Sequence, residues 1–566
     1  MIRARVEVEK SSRSAVELLE KQSRSCSDLW MLKWKCRYPW IGALLSGILL
    51  TACYPGLERS ELAWVALVPL IMAGRKRTSR QAFQIGYVAG VTFWLLSIYW
   101  IFHVTVLGWI ALSLYCALYF GLFSWFTGCW FTWAGTASWV RNLGYVVVAP
   151  AVWVSLEYAR SHLFTGFAWN TLAISQYNVL PLRQIAQWGG VYAVSAVLVT
   201  FNAGVAATLL RYADTHTRLG RGAHPELYIG FLTMALAVTY GIHVVRDDRL
   251  QATPVHVGII QTGIPQINKW TDETVPLIYR RLTELTQALH ASSSAAVDLI
   301  VWPETAVPDD VCHSDRSYSL VQSLAEAGSP ILVGSVDVAT PENSPTLYYN
   351  SSFLFERDGT ISSYYDKRHL VMFGEYIPLE RFMPFLNAMT PNLASFTPGK
   401  LNTVFRLENP DIAFSPLICF EDSIPELSRK SVREGARLLV NQTNDAWFER
   451  SSAARQHMAH CVFRCVEHRV PAVRSANTGV SCMIDHLGVI RSEWKDAMGD
   501  PFGPGWLDGW VLVPLEGSPP TFYTKYGDVF AGSCMGVGIP CFVAGLISPL
   551  LTRKKRAISS KTEDAK

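Results

Sequence analysis

The chain has 566 residues, of which 50% are apolar and 17% are charged, and its formal net charge is +4. Soluble domains carry about 25% charged residues, so this composition excludes a disordered chain and a coiled coil and argues against a fully soluble protein. The small net charge, without a dense basic patch that carries interleaved aromatics, argues against a nucleic-acid partner. The 12 Cys form no CxxC motif, so neither a zinc site nor a disulfide framework is indicated.

Eight apolar stretches are predicted to cross a membrane, because a helical span needs about 20 apolar residues. They are Tyr38–Gly56, Glu61–Gly74, Gln84–Val104, Val106–Trp133, Leu143–Tyr158, Gln187–Leu210, Leu227–Val245 and Val529–Leu551. The predicted organisation is a polar tail (1–37), a membrane domain of seven helices (38–245), a soluble domain (250–525), an eighth helix (528–551) and a basic tail (552–566).

Lys and Arg residues cluster beside the predicted spans and give their orientation. The five clusters begin at Lys33, Arg75, Arg141, Arg211 and Arg553. With eight spans, all five clusters lie on one side of the membrane, and basic loops mark the cytoplasmic side. The soluble domain follows an odd number of spans, so we expect it to face outward, into the periplasm of a bacterium.

The predicted soluble domain alternates short apolar runs with helical stretches, which favours an α/β sandwich. Continuous apolar runs are expected of strands that are covered on both faces, and Asp358-Gly359 is a hairpin signal. The predicted strands are Pro254–Gln261, Val297–Trp302, Ile331–Val338, Ser351–Glu356, Ile361–Tyr365, Ile412–Cys419, Leu438–Asn441, Ala472–Ala476 and Ser481–Asp485. The predicted helices are Asp272–Ala291 and Ser452–His468.

Three chemically distinctive residues stand at the ends of these strands: Glu304, Lys367 and Cys419. The carboxyl ends of buried strands are where α/β proteins tend to place active sites. A Cys becomes a nucleophile when a base is close, a carboxylate is able to take its proton, and a Lys is able to stabilise an oxyanion. Taken singly, the three are better explained as a core Cys, a helix N-terminal charge and a solvated Lys. Spacing alone does not bring them together.

Longer motifs around these residues carry a family resemblance. WPET (302–305), YYDKRHLVMFGEYIP (364–378) and ICFED (418–422) resemble the Glu, Lys and Cys signatures of the carbon–nitrogen hydrolase, or nitrilase, superfamily. More narrowly, the chain resembles the apolipoprotein N-acyltransferase family over about residues 38–551. The further matching motifs are QTGIPQINKW (261–270), NQTNDAWF (441–448), LFTGFAWN (163–170) and GGVYAVSA (189–196). The implied fold is a multi-pass α-helical membrane domain plus a periplasmic nitrilase-like α-β-β-α sandwich.

The resemblance implies that Cys419 is the nucleophile, Glu304 the general base and Lys367 the oxyanion-stabilising lysine. The implied reaction moves an acyl chain from a phospholipid, through a thioester enzyme, to the amine of an N-terminal diacylglyceryl-cysteine. The implied partners are a phospholipid acyl donor, diacylglyceryl apolipoproteins and the lipid of the bacterial inner membrane. The family implies a monomer, and no cofactor or metal is expected.

The resemblance also implies supporting residues and shows two departures. Glu375 and Glu421 match further essential carboxylates, and Trp270 matches a tryptophan that takes part in substrate binding. Phe420 stands where well-known members often have Tyr, so a hydroxyl is missing while the backbone N–H remains. Glu449 stands where the family commonly has Gly, and only Gly reaches some positive-φ conformations cheaply.

Two other functions remain open at this stage. A membrane-tethered nitrilase-type amidohydrolase would form the same acyl-enzyme and pass it to water, although an anchor needs only one span. A transporter or a binding protein with a dead catalytic domain would carry buried charges along its spans. The predicted spans contain few, with Glu157 and Arg160 as exceptions near a span end.

Two smaller features allow alternative interpretations. One histidine–cysteine set has helical spacing, and a metal there would need four converging ligands, whereas a helix face explains the spacing equally well. Its members are His457, His460, Cys461 and Cys465. The apolar runs Leu370–Phe373 and Phe382–Met389 are either loops that dip toward lipid or ordinary core.

Overall fold

The structure, a computed structural model, describes residues 38–215, 223–342, 345–372, 374–376 and 395–545. The predicted tails (1–37 and 552–566) lie outside the described residues. Phe373 and the 382–389 run, which we considered as lipid-facing loops, also lie outside them.

Apolar helices make up the described chain before residue 247. They are α1 (Tyr38–Ala52), α2 (Val68–Ala73), α3 (Ser79–Ser97), α4 (Val106–Ala134), α5 (Trp139–His162), α6 (Leu180–Arg183), α7 (Ala186–Thr215) and α8 (Pro225–Arg246). Among the described helices, α4, α5, α7 and α8 are long and apolar enough to cross a membrane. Large apolar side chains such as Leu107 and Leu236 are 62% and 61% exposed, which is typical of a lipid-facing surface.

The GGVYAVSA motif forms a kink near the start of α7. Gly189 and Gly190 have non-helical backbone angles, and Gly190 has φ +61°. A Cβ at Gly190 would lie 2.7 Å from the Tyr523 ring, so the position requires glycine. Just beyond the kink, Val191 N donates to Glu467 Oε1 at 3.0 Å. The kink therefore allows the helical domain to contact the α/β domain closely.

Residues 252–526 form two six-stranded sheets with helices outside them. The strands are β1 (Ala252–Gln261), β2 (Leu299–Val301), β3 (Ile331–Ala339), β4 (Leu347–Phe355), β5 (Ile361–Asp366), β6 (Phe405–Glu408), β7 (Asp411–Ile418), β8 (Leu438–Thr443), β9 (Ala472–Ala476), β10 (Cys482–Ile484), β11 (Ile490–Glu493) and β12 (Gly505–Pro514). The helices are α9 (Val275–Ser292), α10 (Asp315–Glu326), α11 (Pro425–Arg433), α12 (Ala453–His468) and α13 (Phe522–Tyr526), and the apolar α14 (Val529–Gly545) follows.

The first sheet has the order β12-β1-β2-β3-β4-β5 and the second the order β11-β10-β9-β8-β7-β6. In each sheet three central strands are parallel, namely β1-β2-β3 and β7-β8-β9, and the outer strands are antiparallel. All nine predicted strands and both predicted helices are present, with shifted ends. The α-β-β-α sandwich expected from the sequence is therefore confirmed.

Three apolar cores set the order of the layers. Side chains such as Val257 and Val440 fill the space between the two sheets. The outer face of the first sheet packs on α9 and α10, with Leu282 and Val321 among the contacts. The outer face of the second sheet packs on α12, whose other contacts belong to the same core as α5 and α7. Helix α12 thus lies between the second sheet and the helical domain.

Candidate active site

Each residue of the predicted triad lies just beyond the carboxyl end of a strand. Glu304 follows β2, Lys367 follows β5 and Cys419 follows β7. Because β2 and β7 belong to different sheets, the site lies where carboxyl ends of strands from the two sheets meet. Lys367 Nζ lies 3.5 Å from Glu304 Oε1, and the charges of both act on the Cys419 thiol. The structure brings together three residues that sequence spacing left apart.

Cys419 occupies a left-handed turn. Its φ is +52°, and it is the first residue of the 3-10 helix Cys419–Ser423. Such a conformation in a non-glycine residue costs on the order of 1–3 kcal/mol and persists where the surroundings fix it. The Cys419 carbonyl accepts hydrogen bonds from Asn441 Nδ2 at 3.0 Å and His457 Nε2 at 3.1 Å. These two bonds hold the turn that places the thiol at the strand end.

The site keeps both of its key groups protonated, the Cys419 thiol as a neutral group and Lys367 as a cation. Burial, and then the Glu304 carboxylate, raise the pKa of the Cys419 thiol, and Lys367 offsets only part of this. Burial lowers the pKa of Lys367, but the carboxylates of Glu375 and Glu304 outweigh it and raise that pKa above its ordinary value. At neutral pH the thiol is therefore protonated and the lysine is a permanent cation.

Glu375 lies within the site and binds the lysine directly. Its Oε1 accepts from Lys367 Nζ at 2.7 Å, and its Oε2 accepts from Val371 N at 2.8 Å. Asn350, which the sequence analysis missed, donates from Nδ2 to Glu304 Oε1 at 2.7 Å and to Glu375 Oε1 at 3.2 Å. One amide therefore bridges the two carboxylates that flank Lys367.

Glu421 is fully buried, and its side chain binds backbone N–H groups of the site. Its carboxylate accepts from the backbone N–H groups of Arg368, His369 and Ile418 at 2.8–3.1 Å. It also accepts from Tyr365 Oη at 2.8 Å. These bonds join the segment after β5, which carries Lys367, to the turn that carries Cys419. The geometry makes Glu421 a positioning residue for both.

Phe420 contacts the helical domain. Its ring stacks on Trp169 with centroids 5.8 Å apart and an interplanar angle of 4°, and Phe167 lies 6.5 Å away. Both partners belong to the LFTGFAWN motif between α5 and α7. An apolar ring suits this stack, and it needs no hydroxyl. The side chain after the nucleophile therefore packs against residues of the membrane domain.

The sequence analysis also missed Lys269, which precedes the predicted Trp270. Lys269 is buried, and its Nζ donates to the Glu304 carbonyl at 3.2 Å and to Thr305 Oγ1 at 2.9 Å. Burial lowers its pKa to about 8, although Glu304 and Cys419 raise it. Trp270 is 46% exposed, with its ring centroid 5.2 Å from that ammonium. Trp270 thus lies at the rim of the site. The lysine signal was its place inside the QTGIPQINKW motif.

A buried ionic network lies behind the Cys419 turn. His457 contacts Asp422 Oδ1 at 3.0 Å and Asp445 Oδ1 at 2.8 Å. Arg474 binds the same two carboxylates at 3.0 and 2.8 Å. Burial and Arg474 lower the pKa of His457, but the two aspartates raise it by more, so the net pKa is about 9. His457 is therefore an imidazolium that supports the Cys419 carbonyl.

The histidine–cysteine set of α12 does not form a metal site within the described residues. His457 uses both ring nitrogens in the ionic network. The described groups with metal-compatible spacing are His162–Glu426–Asp528 and Asp310–His313–Asp337. Neither of these groups contains a member of the set.

Gln456 joins the two domains next to the site. Its Oε1 accepts from Trp100 Nε1 at 3.1 Å, Trp169 Nε1 at 2.9 Å and Asn170 Nδ2 at 3.2 Å. Its Nε2 donates to the Ser97 carbonyl at 3.0 Å. Three donors of the helical domain therefore share one amide oxygen of α12, and Asn170 Nδ2 also donates to Ser97 Oγ at 2.8 Å.

Comparison with known proteins agrees with this architecture. Residues 46–204 match the apolipoprotein N-acyltransferase N-terminal domain, and residues 257–497 match the carbon–nitrogen hydrolase domain. An apolipoprotein N-acyltransferase of Geobacter metallireducens is 35% identical, over 92% of this chain and 96% of its own length. One from Chlorobaculum tepidum is 27% identical over 90% of this chain and 97% of its own.

The chain belongs to the apolipoprotein N-acyltransferase family. The protein is accordingly an acyltransferase and a membrane protein, built from an apolipoprotein N-acyltransferase membrane domain and a carbon–nitrogen hydrolase domain. Among solved structures, Saccharomyces cerevisiae Nit3 is similar at 16% identity, over 50% of this chain and 96% of its own, with a TM-score of 0.34. An amidase from Nesterenkonia sp. AN1 is similar at 16% identity, over 49% and 98%, with a TM-score of 0.34.

Proposed function

We propose that this apolipoprotein N-acyltransferase transfers an acyl chain from a phospholipid to the N-terminal diacylglyceryl-cysteine of apolipoproteins. The transfer is ping-pong and passes through a thioester on Cys419. The observation that carries the proposal is the convergence of Glu304, Lys367 and Cys419 on a turn whose next residue, Phe420, packs on the membrane domain.

In the first half-reaction Glu304 takes the Sγ proton while Sγ attacks the carbonyl carbon of the phospholipid ester. The carbonyl electrons move to oxygen, and the oxyanion is held by the Lys367 ammonium and by a backbone N–H near Phe420. Preorganised donors of this kind are worth roughly 3–4 kcal/mol each. The ester C–O bond then breaks, the leaving oxygen takes the proton from Glu304, and a lysophospholipid departs.

In the second half-reaction the α-amine of the diacylglyceryl-cysteine attacks the thioester carbon. Glu304 takes a proton from the attacking nitrogen, which is the same general-base role as before. The C–S bond breaks as the C–N bond completes, and Glu304 passes the proton it took from nitrogen to the departing Cys419 sulfur. The product is an amide, so the acyl chain has moved from oxygen through sulfur to nitrogen.

The membrane setting supports lipid substrates. Phe420, Trp169 and Phe167 form an aromatic stack between the Cys419 turn and the helical domain. Excluding water at such a junction protects a thioester from hydrolysis. A hydrolase that was merely tethered to the membrane would not need this contact, so the stack favours acyl transfer over amide hydrolysis.

The proposed topology follows the distribution of charge in the sequence. Residues 38–245 would form the membrane domain, 250–525 the periplasmic catalytic domain and 528–551 the last span of a bacterial inner-membrane protein. Residues 1–37 and 552–566 would be cytoplasmic, since the basic clusters fall on that side. The proposed active form is a monomer.

A mass-spectrometric search for an acyl adduct tests the proposal. The purified protein is incubated with phospholipid alone, beside Cys419→Ala and Glu304→Gln variants. We expect a hydroxylamine-labile acyl mass on Cys419 that Cys419→Ala lacks and that Glu304→Gln forms about 10²–10⁴-fold more slowly. The exposed Glu326→Gln on α10 is the matched control and should behave as the wild type. A folded wild-type protein that forms no adduct would refute the first half-reaction.

A further inference from the structure

A polar cavity opens at the end of β7 and β8 that is opposite to Cys419. Its volume is about 790 Å³, within the range of ligand sites. Arg437, which lines it, precedes β8, whereas Cys419 follows β7, and β7 pairs with β8 from Phe414–Leu438 to Ile418–Gln442. Arg437 and Cys419 lie six residues apart in this register, and at about 3.3 Å per residue the two sites are about 20 Å apart along the strands.

Positively charged side chains outnumber negatively charged ones in the cavity wall. Arg249, Arg433 and Arg437 line it and form no ion pair with any described residue. Five Lys or Arg residues and three Asp or Glu residues line the cavity. Asp248 pairs with Arg469 of the same wall and with His486, whereas the side chains of Asp247 and Glu516 are 51% and 87% exposed to solvent. An anion entering the cavity would therefore meet cations that lack a counter-charge.

Two buried guanidinium nitrogens in the same wall lack an acceptor. Arg437 Nε and one terminal nitrogen of Arg469 are buried and have no hydrogen-bond partner among the described residues. Buried donors are nearly always satisfied in folded proteins. Arginine N–H groups match the oxygens of phosphate groups in particular, so the arginines of this wall suit a phosphate-like anion.

The cavity borders the ends of two membrane helices. Asp247, directly after α8, and Lys525, four residues before α14, both line it. Beside α13, Trp188 and Phe522 have ring centroids 5.3 Å apart, and Phe522 and Tyr526 4.6 Å. Half-exposed Trp and Tyr residues are typical of the membrane–water interface.

We propose that this cavity binds the phosphodiester head group of an anionic phospholipid at the membrane surface, at a site separate from the acyl-transfer centre. A bound lipid would fasten the rear edge of the catalytic domain to the bilayer. This inference depends on the protein's membrane location and not on the proposed reaction.

Native mass spectrometry of the full-length protein, released from nanodiscs of equal phosphatidylglycerol and phosphatidylcholine, tests the site. We expect the wild type to retain phosphatidylglycerol preferentially and R433Q/R437Q to retain at least tenfold less. R357Q/R491Q removes two exposed arginines elsewhere on the domain and should retain as much as the wild type.

Two outcomes would overturn the proposal. Equal phosphatidylglycerol retention by the wild type and R433Q/R437Q would show that the cavity does not bind the head group. Complete displacement by millimolar inorganic phosphate would assign the cavity to a free anion. Adduct formation on Cys419 checks that both double variants fold, and because it is read separately, failure of lipid binding is distinguishable from failure of acyl transfer.

Discussion

Cys419 carries a neutral thiol in the resting site, because burial and Glu304 both raise its pKa. In the proposed reaction its proton therefore leaves during the attack on substrate, and a nearby base is needed at that moment. The ends of recognisable strands singled out Glu304, Lys367 and Cys419, and the family resemblance implied their roles. The sequence could not predict Asn350, which sits within β4 and gains its meaning only when folding brings Glu304 and Glu375 to either side of it.

Lys269 should make acylation of Cys419 pH-dependent. Its pKa of about 8 means that the ammonium is present below that pH and is lost as the pH rises through it. Loss of a cation beside Glu304 leaves the developing oxyanion less stabilised. We expect the acylation rate to fall about tenfold above pH 8, and Lys269→Arg, which stays charged, to abolish the fall.

The measurement is the rate of adduct formation between pH 6 and 10. Lys269→Met should be slow throughout and lack the alkaline decline, and the exposed Lys400→Met should match the wild type. An identical decline in the wild type, Lys269→Arg and Lys269→Met would contradict the role of this lysine.

Secondary-structure elements were predictable where apolar runs were uninterrupted. The central parallel strands read as continuous apolar runs because both of their faces are buried. β12 was missed, since Gly505, Asp508 and Gly509 break its pattern, and it is stabilised by pairing with β1 along its whole length. The edge strands β6 and β11 and the helices α10 and α11 were missed too, because short, half-exposed elements depend on the surface they pack against.

Helix α12 should lose its hold on the helical domain when Gln456 is replaced by Leu. The indole N–H groups of Trp100 and Trp169 would stay buried without an acceptor, each costing about 1–3 kcal/mol, whereas Asn170 Nδ2 would keep its bond to Ser97 Oγ. We expect a lower apparent melting temperature in detergent and slower acylation of Cys419. Gln287→Leu, at an exposed position on α9, is the control. An equal melting temperature for both variants would argue against a stabilising role for the Gln456 hydrogen bonds.

The segment before α12 contains a strained residue at a position where the family commonly has Gly. Glu449 has φ 49° and ψ −152°, close to a region that is essentially reserved for glycine. The loop therefore has a positive φ at this position although the residue is not Gly. Glu449→Gly should relieve on the order of 1 kcal/mol and raise the apparent melting temperature. Glu408→Gly, at an exposed position of strand β6, is the control and should lower the melting temperature. A lower melting temperature for Glu449→Gly as well would refute the strain at Glu449.

The whole molecule is organised around α12, which packs on the second sheet and on the helical domain at once. The two halves therefore share a core, and the catalytic turn is fixed relative to the membrane domain. The sequence predicted the two domains from composition and α12 as a helix. It did not predict that α12 packs on both domains, because amphipathic spacing does not say which partner each face will meet.

Cysteine accessibility tests the proposed orientation of the whole molecule. Cys312 is the exposed cysteine of the described residues, whereas Cys26 belongs to the N-terminal tail. In cells with a permeabilised outer membrane, an impermeant maleimide should label Cys312 and reach Cys26 only after the inner membrane is opened. Peptide mass spectrometry with Cys312→Ser as control assigns the sites. The reverse order of labelling would place the catalytic domain in the cytoplasm.

The central claim is that the acyl group on Cys419 passes to an amine and not to water. The isolated acyl-enzyme is mixed either with a diacylglyceryl lipopeptide or with the same lipopeptide blocked by acetylation of its α-amine. We predict rapid loss of the acyl mass with formation of a triacylated peptide only for the free amine. Release of free fatty acid at the same rate in both mixtures would contradict the acyltransferase mechanism and favour the hydrolase.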